Sequence, residues 1–239
     1  MQYVDIHSHI LPGLDDGARD EAESLKMFRL AERSGISDII ATPHFHYRRG
    51  MISPEEIENA ANRMQKLLDE SNIKINIHTG NELYYSHELI RAVKAGDVLT
   101  LAGSNYVLLE FSPNVEKRKL QSAVYQFLGE GYFPIIAHME RYSVLQSDPE
   151  IALDIYEMGA LYQMNAGSLL GRAGWKTKRF SRLMMENGLV QFIATDAHDS
   201  KRRSPDLQKA AKWIAGKHGR TNLKMYLQEN PAMILDTKQ

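Results

Sequence analysis

The chain has 239 residues, with 29 lysines and arginines against 30 aspartates and glutamates and a formal net charge of −1. At 43% hydrophobic and 25% charged residues it has an ordinary globular composition, which excludes disordered and collagen-like chains, and the charge balance argues against a nucleic-acid grip. Cysteine is absent, which excludes disulfides, thiolate metal sites and a thiol nucleophile; nine histidines remain to be explained.

In chain order, predicted strands and helices alternate. A strand over residues 3–6 precedes the helical run EAESLKMFRLAERS, which Asp20 caps and Gly35 stops. A strand over 38–42 precedes a helix opened by Ser53-Pro54-Glu55-Glu56, with Ser53 as N-cap and Glu56 as capping-box partner. Strands over 74–79 and 106–109 lead to a helix over 116–129. A strand over 133–137, a helix over 148–159, a strand over 161–164, a helix over 177–187 stopped by Gly188, and a strand over 190–194 complete the series.

The runs DIIAT, YVLLE, FPIIA and VQFIA are apolar at successive positions, the pattern of parallel strands buried on both faces. Seven such strands with intervening helices imply a closed barrel or an open doubly wound sheet. No linker-like or low-complexity tract interrupts them, so residues 1–239 read as a single domain. No stretch approaches the roughly 18 consecutive apolar residues of a membrane span. The start, MQYVDIHSHI, lacks the basic and apolar regions of a secretory signal, so the expectation is a cytoplasmic protein with no membrane insertion.

The residues just after each strand carry the chemistry. The first strand ends in His7-Ser8-His9 with Asp15-Asp16-Gly17 beyond it, and the second in Thr42-Pro43-His44-Phe45-His46. Glu82 comes after the third, Glu110 after the fourth, His138-Met139-Glu140-Arg141 after the fifth, Asn165 after the sixth and Thr195-Asp196-Ala197-His198 after the seventh. Carboxyl ends of parallel strands share one face, so these groups are expected to converge. Imidazoles and carboxylates crowded together require cations between them, and a sulfur-free set fits zinc, manganese or iron(II). Taken singly, each has an ordinary explanation: a structural hydrogen bond for the His7/His9 pair, a helix cap for Asp196, a solvated carboxylate for Glu82 or Glu110. Their joint placement at six of seven strand ends points to metal. His46, His78, His87 and His218 fall outside the set.

The ordered segments DIHSHI, DDGA, ATPH, GNEL, AHMERY and TDAH resemble the motifs of the polymerase and histidinol phosphatase (PHP) superfamily. Within it the chain is most similar to the bacterial manganese-dependent protein tyrosine phosphatases of the CpsB and YwqE type, over about residues 3 to 203. The resemblance implies a distorted seven-stranded (β/α) TIM-like barrel, the PHP fold, holding three divalent ions, with Mn²⁺ favoured and Fe²⁺, Zn²⁺ and Mg²⁺ as the other candidates. It places His7, His9, Glu82 and Asp196 on one ion, Glu82, Glu110 and His138 on a second, and Asp16, His44 and His198 on a third. It assigns Arg141 to the substrate phosphate, and Arg203, beside Arg202, as a second phosphate arginine. Met139 stands where the family usually has Pro, and Asp199 where it often has Asn.

The implied reaction is phosphomonoester hydrolysis in which a metal-activated water attacks phosphorus, with His198 or Asp199 as a source of acid help. The implied partner is a phosphotyrosine protein, a bacterial tyrosine kinase controlling capsule or exopolysaccharide synthesis. A small-molecule phosphatase of the histidinol-phosphate type would use the same ligands. A non-catalytic metal-binding regulatory module would not require Arg141. An amidohydrolase would want lysine after the fourth strand, where Glu110 stands.

Overall fold

The computed structural model describes residues 2–47 and 52–236. Its strands are β1 (Tyr3–Ser8), β2 (Ile36–Ala41), β3 (His44–Phe45), β4 (Asn76–Thr79), β5 (Glu82–Tyr84), β6 (Tyr106–Glu110), β7 (Phe133–Ile136), β8 (Leu161–Asn165) and β9 (Phe192–Ala194). The helices are α1 (Glu21–Ser34), α2 (Pro54–Glu70), α3 (Leu89–Ala95), α4 (Lys117–Gly129), α5 (Ser143–Ser147), α6 (Pro149–Glu157), α7 (Ala166–Leu169), α8 (Trp175–Glu186), α9 (Gln208–Lys224) and α10 (Asn230–Asp236).

Each predicted strand has a counterpart, but seven becomes nine because two strands are interrupted. Pro43, which has no N–H to donate to the ladder, separates β2 from β3. Gly80 separates β4 from β5 at a point of close approach, where a Cβ would lie 3.0 Å from Leu101 and 3.3 Å from Ile40. The strands therefore divide into the orders β1-β2-β4 and β3-β5-β6-β7-β8-β9, with all neighbours parallel. The sheet curls until β9 returns alongside β1. There Ser8 bridges Ala197, the Asp196 N–H donates to the His7 carbonyl at 2.9 Å, and the His9 N–H donates to the Ala197 carbonyl at 2.8 Å. The architecture is thus mixed α/β, built on a curled parallel sheet.

Alternation along the strands shows why their sequences are continuously apolar. Val4, Ile6, Leu108, Ile135 and Ala194 join a small cluster inside the curl, whereas Val107, Leu109, Ile136 and Ile193 join the larger cluster beneath the helices. The cap signals also hold. Asp20 accepts the Glu23 N–H, Gly35 ends α1 in the left-handed conformation at φ 93°, and Ser53 and Glu56 form the full capping box of α2. The C-terminal helices α9 and α10 had no predicted counterpart. Ile234 of α10 inserts into the inner cluster with Val4, Ile6 and Phe192. No described helix is long and apolar enough to cross a membrane.

Candidate metal centre

Backbone irregularities at three strand ends aim the polar side chains. The β1 register shifts between Asp5 and Ser8, which frees His7 and His9 from strict alternation. His138 after β7 and Asp196 after β9 adopt positive φ, 32° and 51°, a conformation that non-glycine residues keep only where the surroundings enforce it. All nine predicted ligand residues meet at this one mouth. His7, His9, Glu82, His138, Asp196 and His198 are buried, while Glu110, His44 and Asp16 lie progressively nearer solvent.

The innermost donors are the Nε2 atoms of His7 and His9, Oε2 of Glu82 and Oδ1 of Asp196. The two nitrogens lie 3.3 Å apart, Glu82 is 3.3 and 3.2 Å from them, and Asp196 is 3.6 Å from each. The three donors of His7, His9 and Glu82, with edges of 3.2 to 3.3 Å, can share a point roughly 2.1 Å from each, the bond length of a divalent ion to nitrogen or oxygen. The tautomers agree. Nδ1–H of His7 donates to Gln163 Oε1 at 3.0 Å and Nδ1–H of His9 donates to Asp15 Oδ2 at 2.6 Å, which makes Nε2 the inward-facing nitrogen of both rings. Gln163 Oε1 also accepts the His138 N–H at 2.8 Å, so its orientation is fixed.

Glu82 bridges outward through its other oxygen, Oε1, which is 2.8 Å from His138 Nε2; Glu110 Oε1 lies 3.7 Å from the same nitrogen. His44 Nδ1 is 2.9 Å from Glu82 and 3.5 Å from Glu110, and its Nε2 is 3.4 Å from Asp16, as is Nε2 of His198. Three groups have donors within 4.8 Å of one another: His7, His9 and Glu82; His44, Glu82 and Glu110; and His9, Asp16, His44 and His198. His44 therefore stands between the second and third sets drawn from the resemblance.

The charges are strongly interdependent. Burial opposes a charged ring at His9, yet its bonds to Asp15 and Glu82 raise it to about 9; at His44 the same opposition is overcome by Glu110 and Glu82, which raise it to about 11. Burial also disfavours the Glu82 anion, but His7, His138 and His44 hold it well below the usual carboxylate range. Asp196 is likewise held low against burial by His7 and Arg141. His198 moves the other way, down to about 4, through burial and the neighbouring His9 charge. Such carboxylates demand positive charge between them, and the donor set fits divalent ions.

Two guanidinium groups close the rim. Arg141 Nη2 donates to Asp196 Oδ2 at 2.7 Å, and Arg203 Nη2 donates to Oδ1 of the same carboxylate at 2.6 Å. Arg203 rather than Arg202 thus reaches the cluster; Arg202 is exposed beside it. Met139 is fully buried, in a tight turn closed by the Arg141 N–H on the His138 carbonyl at 2.9 Å. The four histidines outside the set find other partners: His78 pairs with Asp38, His87 contacts Tyr85, His218 packs on Trp213, and His46 stacks on Tyr84 at the mouth. Sequence reasoning missed two supporting groups, Gln163 and Tyr142. Gln163 orients His7 and His138, and Tyr142, whose hydroxyl is 3.4 Å from His138 Nδ1, backs the second of these from its other side. Asn165 Nδ2 donates to Asp196 Oδ2 at 2.7 Å. The only signal for Gln163 is a polar residue inside a buried strand.

Comparison with known proteins identifies the family. Residues 3–236 match the family model described as capsular polysaccharide synthesis, CpsB/CapC. Tyrosine-protein phosphatase YwqE of Bacillus subtilis (strain 168) is 35% identical over 232 residues, which are 97% of this chain and 91% of that protein. Tyrosine-protein phosphatase CpsB of Streptococcus pneumoniae is 30% identical, with 97% of this chain and 98% of that protein covered. Among solved structures, one described under "YwqE from Bacillus subtilis and CpsB from Streptococcus pneumoniae, unique metal-dependent tyrosine phosphatases" superposes with a TM-score of 0.92 at 34% identity, covering 99% of this chain and 95% of that one. This chain belongs to the CpsB/CapC family.

Proposed function

We propose that this protein is a cytoplasmic, metal-dependent protein-tyrosine phosphatase whose substrate is a bacterial tyrosine kinase of capsule or exopolysaccharide synthesis. The observation that carries the reading is the convergence of nitrogen and oxygen donors from separate strand ends beneath the Arg141 and Arg203 guanidiniums. Relatives similar over nearly the whole chain are named tyrosine-protein phosphatases. The curled sheet is read as a distorted seven-stranded barrel, with β2/β3 and β4/β5 each counted as one strand and the seam running between β9 and β1.

His7, His9, Glu82 and Asp196 would hold one divalent ion, Glu82, Glu110 and His138 a second, and Asp16, His44 and His198 a third, manganese being favoured. Bound there, the ions would acidify a water toward neutrality and offset charge on the phosphoryl oxygens. The protein's own part is to bind and orient. Arg141 and Arg203 are 40% and 39% exposed, and each guanidinium has N–H donors beyond its bond to Asp196 with which to grip a phosphoryl group. His198, buried with its Nε2 3.4 Å from Asp16, is read as a ligand of the third ion rather than as a source of acid. A phenolate leaving group, with a pKa near ~10, departs without strong acid help.

The test is kcat/KM on a phosphotyrosine peptide and on histidinol phosphate, for the manganese-loaded protein and for Arg141→Ala. The expected result is preference for the peptide and a loss of about 10²- to 10³-fold in Arg141→Ala with metal content unchanged. Preference for histidinol phosphate would assign a small-molecule phosphatase. Metal-loaded protein that turns over neither compound would leave a binding module.

A further inference from the structure

Beside the metal cluster, on the side of Asp196, lies a cleft of about 290 Å³ lined by Arg141, Asn165, Ser168, Arg172, Arg202 and Arg203, among others. It brings four guanidinium groups together around Asp196, the one carboxylate among its lining residues. Both oxygens of that carboxylate are already engaged, Oδ1 by Arg203 and Oδ2 by Arg141 and Asn165. Arg172 and Arg202 are exposed, and neither forms an ion pair among the described residues. The cleft thus carries more positive charge than the reaction's own phosphate arginines account for.

The position of Arg172 is built in. Its N–H donates to the Gly167 carbonyl at 3.0 Å, and its side chain crosses Gly167 so closely that a Cβ there would lie 3.1 Å from Cδ. Lys178 covers the adjoining turn, since a Cβ on Gly171 would lie 3.1 Å from its Cδ. Between residues 166 and 185 the sequence has five basic residues, Arg172, Lys176, Lys178, Arg179 and Arg182, and no acidic one, in a chain whose overall charge is −1. Of these five, Arg172 lines the cleft, whereas Lys176 and Arg179 line a separate one with Gln146 and Trp175, and Arg182 lies over the Trp213 ring. An anion in the cleft would meet unneutralised donors in a fixed concave setting, where charge complementarity favours the matching substrate.

We infer that this cleft is a specificity subsite that reads an anionic side chain adjacent to the phosphotyrosine, with Arg172 as its distinguishing contact. The inference rests on the phosphatase reading above and adds a substrate preference to it. A carboxylate or a second phosphotyrosine phosphate supplies the required chemistry, and a peptide series separates them.

The experiment measures kcat/KM at low salt for one phosphotyrosine peptide carrying Glu, Ala, Lys or a second phosphotyrosine on either side of the target residue. Each value is normalised to turnover of p-nitrophenyl phosphate by the same protein sample. The expected result is an advantage of about three- to tenfold for the Glu or phosphotyrosine peptide over the Ala peptide on one side, weakening in high salt. In Arg172→Glu the order inverts toward the Lys peptide, a gain that a misfolded variant could not produce. Equal kcat/KM across the series, or a preference unmoved by Arg172→Glu, overturns the subsite and leaves the phosphatase reading standing. Failure to hydrolyse any peptide overturns both.

Discussion

His9 shows how one side chain is assigned its role by its neighbours. Its Nδ1–H is held by Asp15 at 2.6 Å, so Nε2 is the nitrogen turned toward the cluster, and Asp15 is itself anchored by the Gly17 and His44 N–H groups at 2.9 and 3.0 Å. Asp15→Asn removes the anion that polarises the ring. Manganese titration by calorimetry should show affinity lowered by about 10- to 100-fold with the circular dichroism spectrum unchanged. Unchanged affinity would reduce Asp15 to a loop anchor. At this scale the clustered histidines and acids were legible because so many directly succeed apolar strands, as Glu110 succeeds YVLL and Asp196 succeeds FIAT. Gln163 and Tyr142 were not legible, because an amide in a strand and an aromatic after a turn have many structural uses. Only the folded distances single them out.

Strands and helices obey the same local rules with different clarity. Leu108 of β6 is fully buried inside the curl, where it packs with Ile6 and Ile135, so Leu108→Ala should cost about 2–5 kcal/mol in urea unfolding. A cost under ~1 kcal/mol would mean the inner cluster contributes little. Between β2 and β4, Asp38 accepts bonds from His78 at 3.1 Å, Asn76 at 2.9 Å and Ser37 at 2.7 Å. The His78 bond, opposed by burial and aided by Asn76 and Ser37, lowers the Asp38 carboxyl to about 2. That is below the unfolded value of about 3.9, so the contribution is complete above that pH and fades as pH falls from about 4 toward 2. The destabilisation by Asp38→Asn, measured by urea titration, should therefore be present at pH 6 and shrink across that window. A pH-independent difference would contradict this. Elements with clean signals, such as the Ser53 capping box, were legible in the sequence. The C-terminal helices were hidden because Gly216, Gly219 and Pro231 break the pattern, and Gly219 is in fact non-helical at φ 82° within α9.

On the scale of the molecule, the seam between β1 and β9 is where residues 7–9 meet residues 196–198, joined by few backbone bonds. The proposed ligand sets cross that seam, so ions bound there would tie together parts of the chain almost 190 positions apart. Ions that bind only the folded chain stabilise it by about 2.7 kcal/mol at a hundredfold excess over Kd, so chelation should lower the melting temperature by roughly 5–10 °C in a thermal scan. An unchanged transition would place the ions elsewhere. The parallel sheet was legible because strands buried on both faces lose alternation; its curl and interruptions were not, since Pro43 and Gly80 read as ordinary loop residues until the close approach at Leu101 is seen. The most direct test is to determine metal content and phosphotyrosine-peptide turnover on one preparation before chelation, after it, and after manganese is returned. The expected sequence is metal-loaded and active, stripped and inactive, then reloaded and active. Full turnover by the stripped protein would contradict the metal centre as the seat of the chemistry.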